Sequence, residues 1–205
     1  MLLVNLGTPD APTPAATRRY LAEFLADPRV VEIPKPLWWP ILHGVVLRTR
    51  PARSARKYAQ VWTPEGSPLA VYTARQAVRL QGSLGERSAQ VDVRWAMRYG
   101  RPAIATELDA LVAAGCTRIV VFPAYPQYCA ATTASTFDAV ASWLRRTRAL
   151  PELRFINGYA TDVAYLQALA ARVRLHWQAQ GRGRPLVLSF HGMPQRTREL
   201  GDPYN

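Results

Sequence analysis

Leu2-Leu3-Val4-Asn5-Leu6-Gly7-Thr8-Pro9 begins as a short apolar run and stops at a glycine and a proline. A run of that length bounded by turn residues has the signature of a strand buried in a sheet. The pattern recurs at 91–97, 119–123, 153–157 and 186–191, with helical periodicity in the gaps. Strands that alternate with helices make βαβ units, so an α/β fold is expected, with a doubly wound, mostly parallel sheet flanked by helices. The turn after residues 2–6 carries neither GxGxxG nor GxxxxGK[ST]. The glycines that cradle phosphate are therefore missing, which argues against nucleotide binding.

The helices carry their own punctuation. Thr13 is a candidate N-cap with Pro14 at the first helical position, and Tyr20, Leu21, Phe24 and Leu25 share one face of a helix that ends near Asp27-Pro28. Later helices are read at 103–114, closed by Gly115, at 135–150, closed before Pro151, and at 163–180, closed by Gly181. Residues 28–66 break this rhythm. Pro34, Pro36, Trp38, Trp39 and Pro40 precede an apolar stretch at 41–47 and then a basic cluster, Arg48, Arg50, Arg53, Arg56 and Lys57. Adjacent tryptophans between prolines suit either core packing or a lip with one apolar and one wet face. The basic cluster suits a solvated helix face, an anionic membrane, nucleic acid or substrate carboxylates.

With 205 residues and 49% apolar content, the chain can bury one substantial core. The net charge of +12 is carried mainly by arginines scattered over the whole chain, Lys35 and Lys57 being the lysines. No run reaches the ~18 apolar residues of a spanning helix. Met1 leads directly into the first apolar run with no basic leader, so a cytoplasmic protein is expected. Cys116 and Cys129 are too few for a disulfide framework and are read as reduced thiols.

The run Pro185-Leu186-Val187-Leu188-Ser189-Phe190-His191-Gly192-Met193-Pro194 delivers a histidine at the carboxyl end of an expected strand. Ligands of open α/β sheets sit beyond those ends, which makes His191 the leading candidate for chemistry. His43 and His176 lack such a setting and are read as structural or surface residues. The chain then stops at Gly201-Asp202-Pro203-Tyr204-Asn205 with no helix cap or polar tail, and it reads as a truncated sequence.

Several segments agree on one resemblance: residues 2–9, Gly66-Ser67-Pro68, Met97-Arg98-Tyr99-Gly100, Pro123-Ala124-Tyr125-Pro126-Gln127-Tyr128, Ser189-Phe190-His191-Gly192-Met193-Pro194 and Gly201-Asp202-Pro203-Tyr204. In order and spacing they resemble the amino-terminal portion of ferrochelatases of the proteobacterial type, over all 205 residues. The resemblance implies insertion of Fe²⁺ into a porphyrin dianion in the last step of haem biosynthesis, with Fe²⁺ as substrate and no organic cofactor. It also implies a chelatase-like pair of Rossmann-like lobes facing a cleft. Residues 1–160 then form the first lobe, and 161–205 a connecting helix and the start of the second. A glutamate opposite the motif histidine is expected in the continuation, so this chain alone is expected to be inactive.

His191 matches the family's active-site histidine. A neutral imidazole can take a pyrrole proton or receive the metal, and both roles stay open. Arg98 and Tyr99 match a pair lining the porphyrin pocket, Leu6 a position facing the macrocycle, and Tyr58 and Ser67 further pocket residues. Gly7-Thr8-Pro9 is read as a tight turn that lets backbone approach a flat ligand. Some relatives place a cluster-binding cysteine near Cys129, but here the cysteine is displaced by one position. No iron-sulfur cluster is expected, and Cys129 is read as a small packing residue. The expected partners are porphyrin and ferrous iron, with no nucleic acid and with peripheral membrane contact left open. The alternatives are a non-catalytic porphyrin-binding fragment and a cobalt or nickel chelatase of the same fold.

Overall fold

The computed structural model describes residues 1–87, 91–183 and 185–204. Its centre is a four-stranded parallel sheet in the order β2-β1-β3-β4, formed by β1 (Leu2–Gly7), β2 (Arg94–Tyr99), β3 (Arg118–Pro123) and β4 (Glu152–Phe155). Leu2 and Val4 are fully buried and Leu3 nearly so, as expected for a central strand covered on both faces. Leu2 and Val4 pack with Ala96, Ile119 and Val121 against α5 (Ile104–Ala113) and α6 (Ser135–Leu144), through Leu108, Leu111, Val140 and Trp143. From the other face Asn5 Nδ2 donates to Thr73 Oγ1 of α4 (Pro68–Gly85) at 2.9 Å. The α/β class and the parallel sheet flanked by helices are thus as expected.

A second apolar cluster joins α1 (Pro14–Leu25) to the tip of β2 and to the segment that broke the sequence rhythm. That segment is helical: α2 (Lys35–Ile41) runs through a π-turn at Leu42–Val46 into α3 (Leu47–Val61). Its buried positions are Leu42, Leu47, Pro51 and Ala55. The gap between the first two is one residue wider than an α-helical face tolerates, and the π-turn falls on that gap. Trp38 lies half-buried with its indole donating to Leu25 O at 2.7 Å, whereas Trp39 is exposed beside His43. Each of the two tryptophan readings therefore fits one of the pair.

Capping follows the local signals. Ala16 N–H donates to Thr13 Oγ1 at 3.3 Å, and Gly115 and Gly181 hold positive φ of 82° and 78° just past α5 and α7 (Val163–Gln180). Gly7 sits at φ 121° and is crowded by β2: a Cβ there would stand 1.9 Å from Tyr99 O. The close approach of this turn is to a neighbouring strand.

Two expectations need correction. The 135–150 helix ends at Leu144, where the Arg145-Arg146-Thr147 turn folds back and Thr147 Oγ1 donates to Trp143 O at 3.1 Å. Residues 186–191 form no strand; Val187, Leu188 and Phe190 are 81%, 72% and 69% exposed. A strand exists only through the neighbour it pairs with, and this run meets none among the described residues. A short helix, α8 (Gln195–Glu199), follows it.

Candidate functional site

The central strands β1 and β3 end side by side, and the cleft opens beyond their carboxyl ends. Its volume is about 410 Å³. Leu6 lines it from β1, Phe24 from α1, Val30 from the turn after α1, and Tyr125, Pro126, Gln127 and Cys129 from the loop after β3. His191, Gly192, Met193, Pro194 and Tyr204 complete the lining from the carboxyl-terminal segment. His191 is exposed, so its imidazole is accessible from the cleft and from solvent. The surroundings are apolar, and no arginine or lysine lines the cleft among the described residues.

Of the residues singled out from sequence, Leu6 and His191 meet at this cleft. Tyr58, Ser67, Arg98 and Tyr99 stand behind its walls. Tyr58 packs edge-on against Tyr20 at 6.3 Å, Tyr20 stacks on Phe24 at 5.9 Å, and Phe24 meets Tyr99 edge-on at 5.1 Å. This aromatic row reaches the cleft through Phe24. Ser67 is buried and accepts a hydrogen bond from Thr8 Oγ1 at 2.8 Å, tying the start of α4 to the turn after β1.

Arg98 and Tyr99 join a buried polar hub around Asp27. Arg98 Nη2 is paired with Asp27, while its Nε donates to Ser135 O at 2.8 Å and to Ser135 Oγ at 2.7 Å. Tyr99 Oη and Ser135 Oγ both donate to Asp27 Oδ2, at 2.8 and 2.6 Å. Burial pushes the Asp27 carboxyl up, but the bonds from Ser135, Arg29 N–H and Tyr99 and the Arg98 charge outweigh it, leaving the pKa below its ordinary value. The Tyr99 phenol is driven up by burial and stays neutral. Tyr125 is also driven up by burial, and its hydroxyl has no hydrogen-bond partner among the described residues. Cys129 is buried, with its thiol pushed up by burial.

Asp27, Phe24, Ser135 and Asp202 escaped the sequence reading as site-forming residues. Asp27 carried a faint signal, an acid placed between a helix end and a proline. His43 and His176 lie away from the cleft, against Trp39 and near Gly181. Among the described residues no helix is long and apolar enough to cross a membrane.

Comparison with known proteins gives one result. A family model described as Ferrochelatase matches residues 1–205. A protein named Ferrochelatase from a Polaromonas species is 62% identical over 205 residues, and that from Methylibium petroleiphilum is 64% identical over the same length. The Bordetella pertussis protein of that name is 53% identical over 204 residues. Each alignment covers 100% of this chain and 56% of the relative. The chain thus spans about half the length of the curated relatives it matches.

Proposed function

The chain belongs to the ferrochelatase family, and from that premise we propose that the protein it forms inserts Fe²⁺ into protoporphyrin IX to give protohaem. The observation that carries this reading is the apolar cleft of about 410 Å³ with one accessible imidazole, His191, on its lining. A flat aromatic macrocycle gains from burial against Leu6, Phe24 and Val30. The porphyrin gives up two pyrrole protons as the metal enters, and no oxidation state changes. His191 is the group on the lining suited to take a proton or to receive Fe²⁺ as it sheds water.

Leu6 is proposed to touch the macrocycle directly. Tyr58, Ser67 and Tyr99 support the wall through the aromatic row and the Thr8 bond. Arg98 stands behind the wall with Nε and Nη2 occupied by Ser135 and Asp27, so a contact to a porphyrin propionate is proposed only through the remaining Nη1. A cobalt or nickel chelatase acting on a more carboxylated tetrapyrrole would need more cations than this lining offers.

The test is anaerobic. The full-length protein is mixed with protoporphyrin IX and Fe²⁺, and the Soret and visible bands are followed against a protein-free blank. Conversion to protohaem above the blank is expected. A rate equal to the blank, with porphyrin bound or not, overturns the reading.

A further inference from the structure

The carboxylate of Asp202 joins the segment that carries His191 to the opposite side of the cleft. Oδ2 accepts from Ala130 N–H at 2.8 Å, at the head of the π-turn Ala130–Ala134 that leads into α6, and it accepts a longer contact from Cys129 Sγ at 3.6 Å. Oδ1 accepts from Tyr204 N–H at 3.0 Å, and the Tyr204 side chain lines the cleft. Both oxygens are therefore engaged, one across the cleft wall and one on its own loop.

The piece that Asp202 pins is itself braced. Thr197 N–H and Thr197 Oγ1 both donate to Pro194 O, at 2.9 and 2.7 Å. Leu200 N–H donates to Arg196 O at 3.0 Å, Gly201 N–H to Arg198 O at 2.9 Å, and Asp202 N–H to Thr197 O at 2.9 Å. From Pro194 to Asp202 the backbone is thus a hook closed on itself, and His191, Gly192 and Met193 lead straight into it. A further side-chain bond from the hook is exposed, Arg196 to Glu32 at 3.4 Å. Exposed ion pairs of that kind add little, so the half-buried bond from Ala130 N–H to Asp202 Oδ2 is the stronger tether.

We propose that Asp202 is a positioning residue for metallation, acting through the hook to hold His191 at a fixed distance from the wall formed by residues 125–132. This rests on the function proposed above. Placement matters here because proton transfer and metal capture depend on sub-ångström geometry, so a loosened hook lowers turnover more than it lowers porphyrin binding, which the apolar walls supply.

The test uses the full-length protein with wild type, Asp202→Ala, Ala130→Pro and the double variant. Ala130 stands at the first position of its helical turn, after an extended Cys129, where proline is tolerated and removes only the donor N–H. Each single variant is expected to lower kcat about tenfold with porphyrin KM within twofold. The double variant is expected to be no worse than the poorer single one, and Asp202→Asn, which keeps an acceptor oxygen, to recover most of the rate. If Asp202→Ala fails to fold, Ala130→Pro decides alone. A kcat within threefold of wild type in a folded variant, losses that multiply in the double variant, or a loss carried by KM overturns the proposal. An inactive wild type overturns the proposed function and this role with it. An active wild type with unaffected variants overturns this role alone.

Discussion

Asp27 and Arg98, 71 positions apart in the sequence, form an ion pair where the end of α1 meets β2 and the head of α6. Arg98 keeps 16% of its side-chain surface and Asp27 5%, so the charges are largely removed from water and depend on each other. Asp27→Asn leaves Arg98 without its counter-charge. A loss of about 3 kcal/mol of unfolding free energy is expected, read by urea denaturation at pH 7. The folded carboxyl lies below its ordinary value, so this contribution is complete above the unfolded-state pKa of about 3.9 and is lost as pH falls through the folded one. Wild type and variant should therefore begin to converge below about pH 4 and meet once pH has passed the lower, folded-state pKa. A gap that stays constant into that range would remove Asp27 ionisation from the account.

His191→Ala in the full-length protein should keep the fold, because the side chain is exposed. Metallation should fall by at least tenfold, about 1.4 kcal/mol in barrier height. Circular dichroism checks the fold and the Soret assay checks the rate. A folded variant that metallates at near the wild-type rate would free His191 from the chemistry.

Arg98→Leu separates a propionate contact from a packing role. Loss of a charge-assisted bond should weaken the free-acid porphyrin by about 1.5–3 kcal/mol and leave the propionate diester much less affected. Fluorescence titration of both ligands is the measurement. Equal weakening would assign Arg98 to the Asp27 hub alone.

Tyr125→Phe removes a buried hydroxyl that has no partner among the described residues. In the absence of porphyrin the variant should be about 1 kcal/mol more stable, seen as a higher melting temperature. A lower one would show that the hydroxyl is satisfied in solution.

Gly7→Ala should be among the most damaging single changes to this chain. The new Cβ would stand 1.9 Å from the Tyr99 carbonyl oxygen, and a φ of 121° is unsuited to an L side chain. Failure to accumulate as soluble protein, or a loss above about 3 kcal/mol, is expected. A soluble variant with wild-type melting would refute the close approach.

What the sequence disclosed depended on how far each signal reached. The Thr13 cap, the stops at Gly115 and Gly181, and the apolar runs of β1 and β3 are local, and they stand where their residues indicate. Residues 186–191 look locally like a strand, yet strandedness belongs to a pair, and here the apolar side chains lie exposed. The two tryptophans left core packing and a lip with one wet face both open, and only the fold divides them: Trp38 reaches Leu25 O while Trp39 stays exposed, on a helix whose Pro36 falls in the first turn, where the missing donor does no harm. Leu6 and His191 drew attention through local motifs, Leu6 at the end of β1 and His191 in a run that only reads locally as a strand. Asp27, Ser135 and Asp202 were not, because the partners that give them a role lie far away along the chain.

The π-turn at Leu42–Val46 means that this helix holds one residue more than its contacts require. Leu47, Pro51 and Ala55 already repeat every fourth position, and only the step from Leu42 to Leu47 is longer. Dropping the exposed Gly44, whose Cβ position is empty space, would let the segment wind as an ordinary α-helix with all four side chains still in phase. The surplus residue is therefore an expendable stitch: a chain shortened there keeps its seam against α1, whereas a deletion one turn later throws that seam out of step.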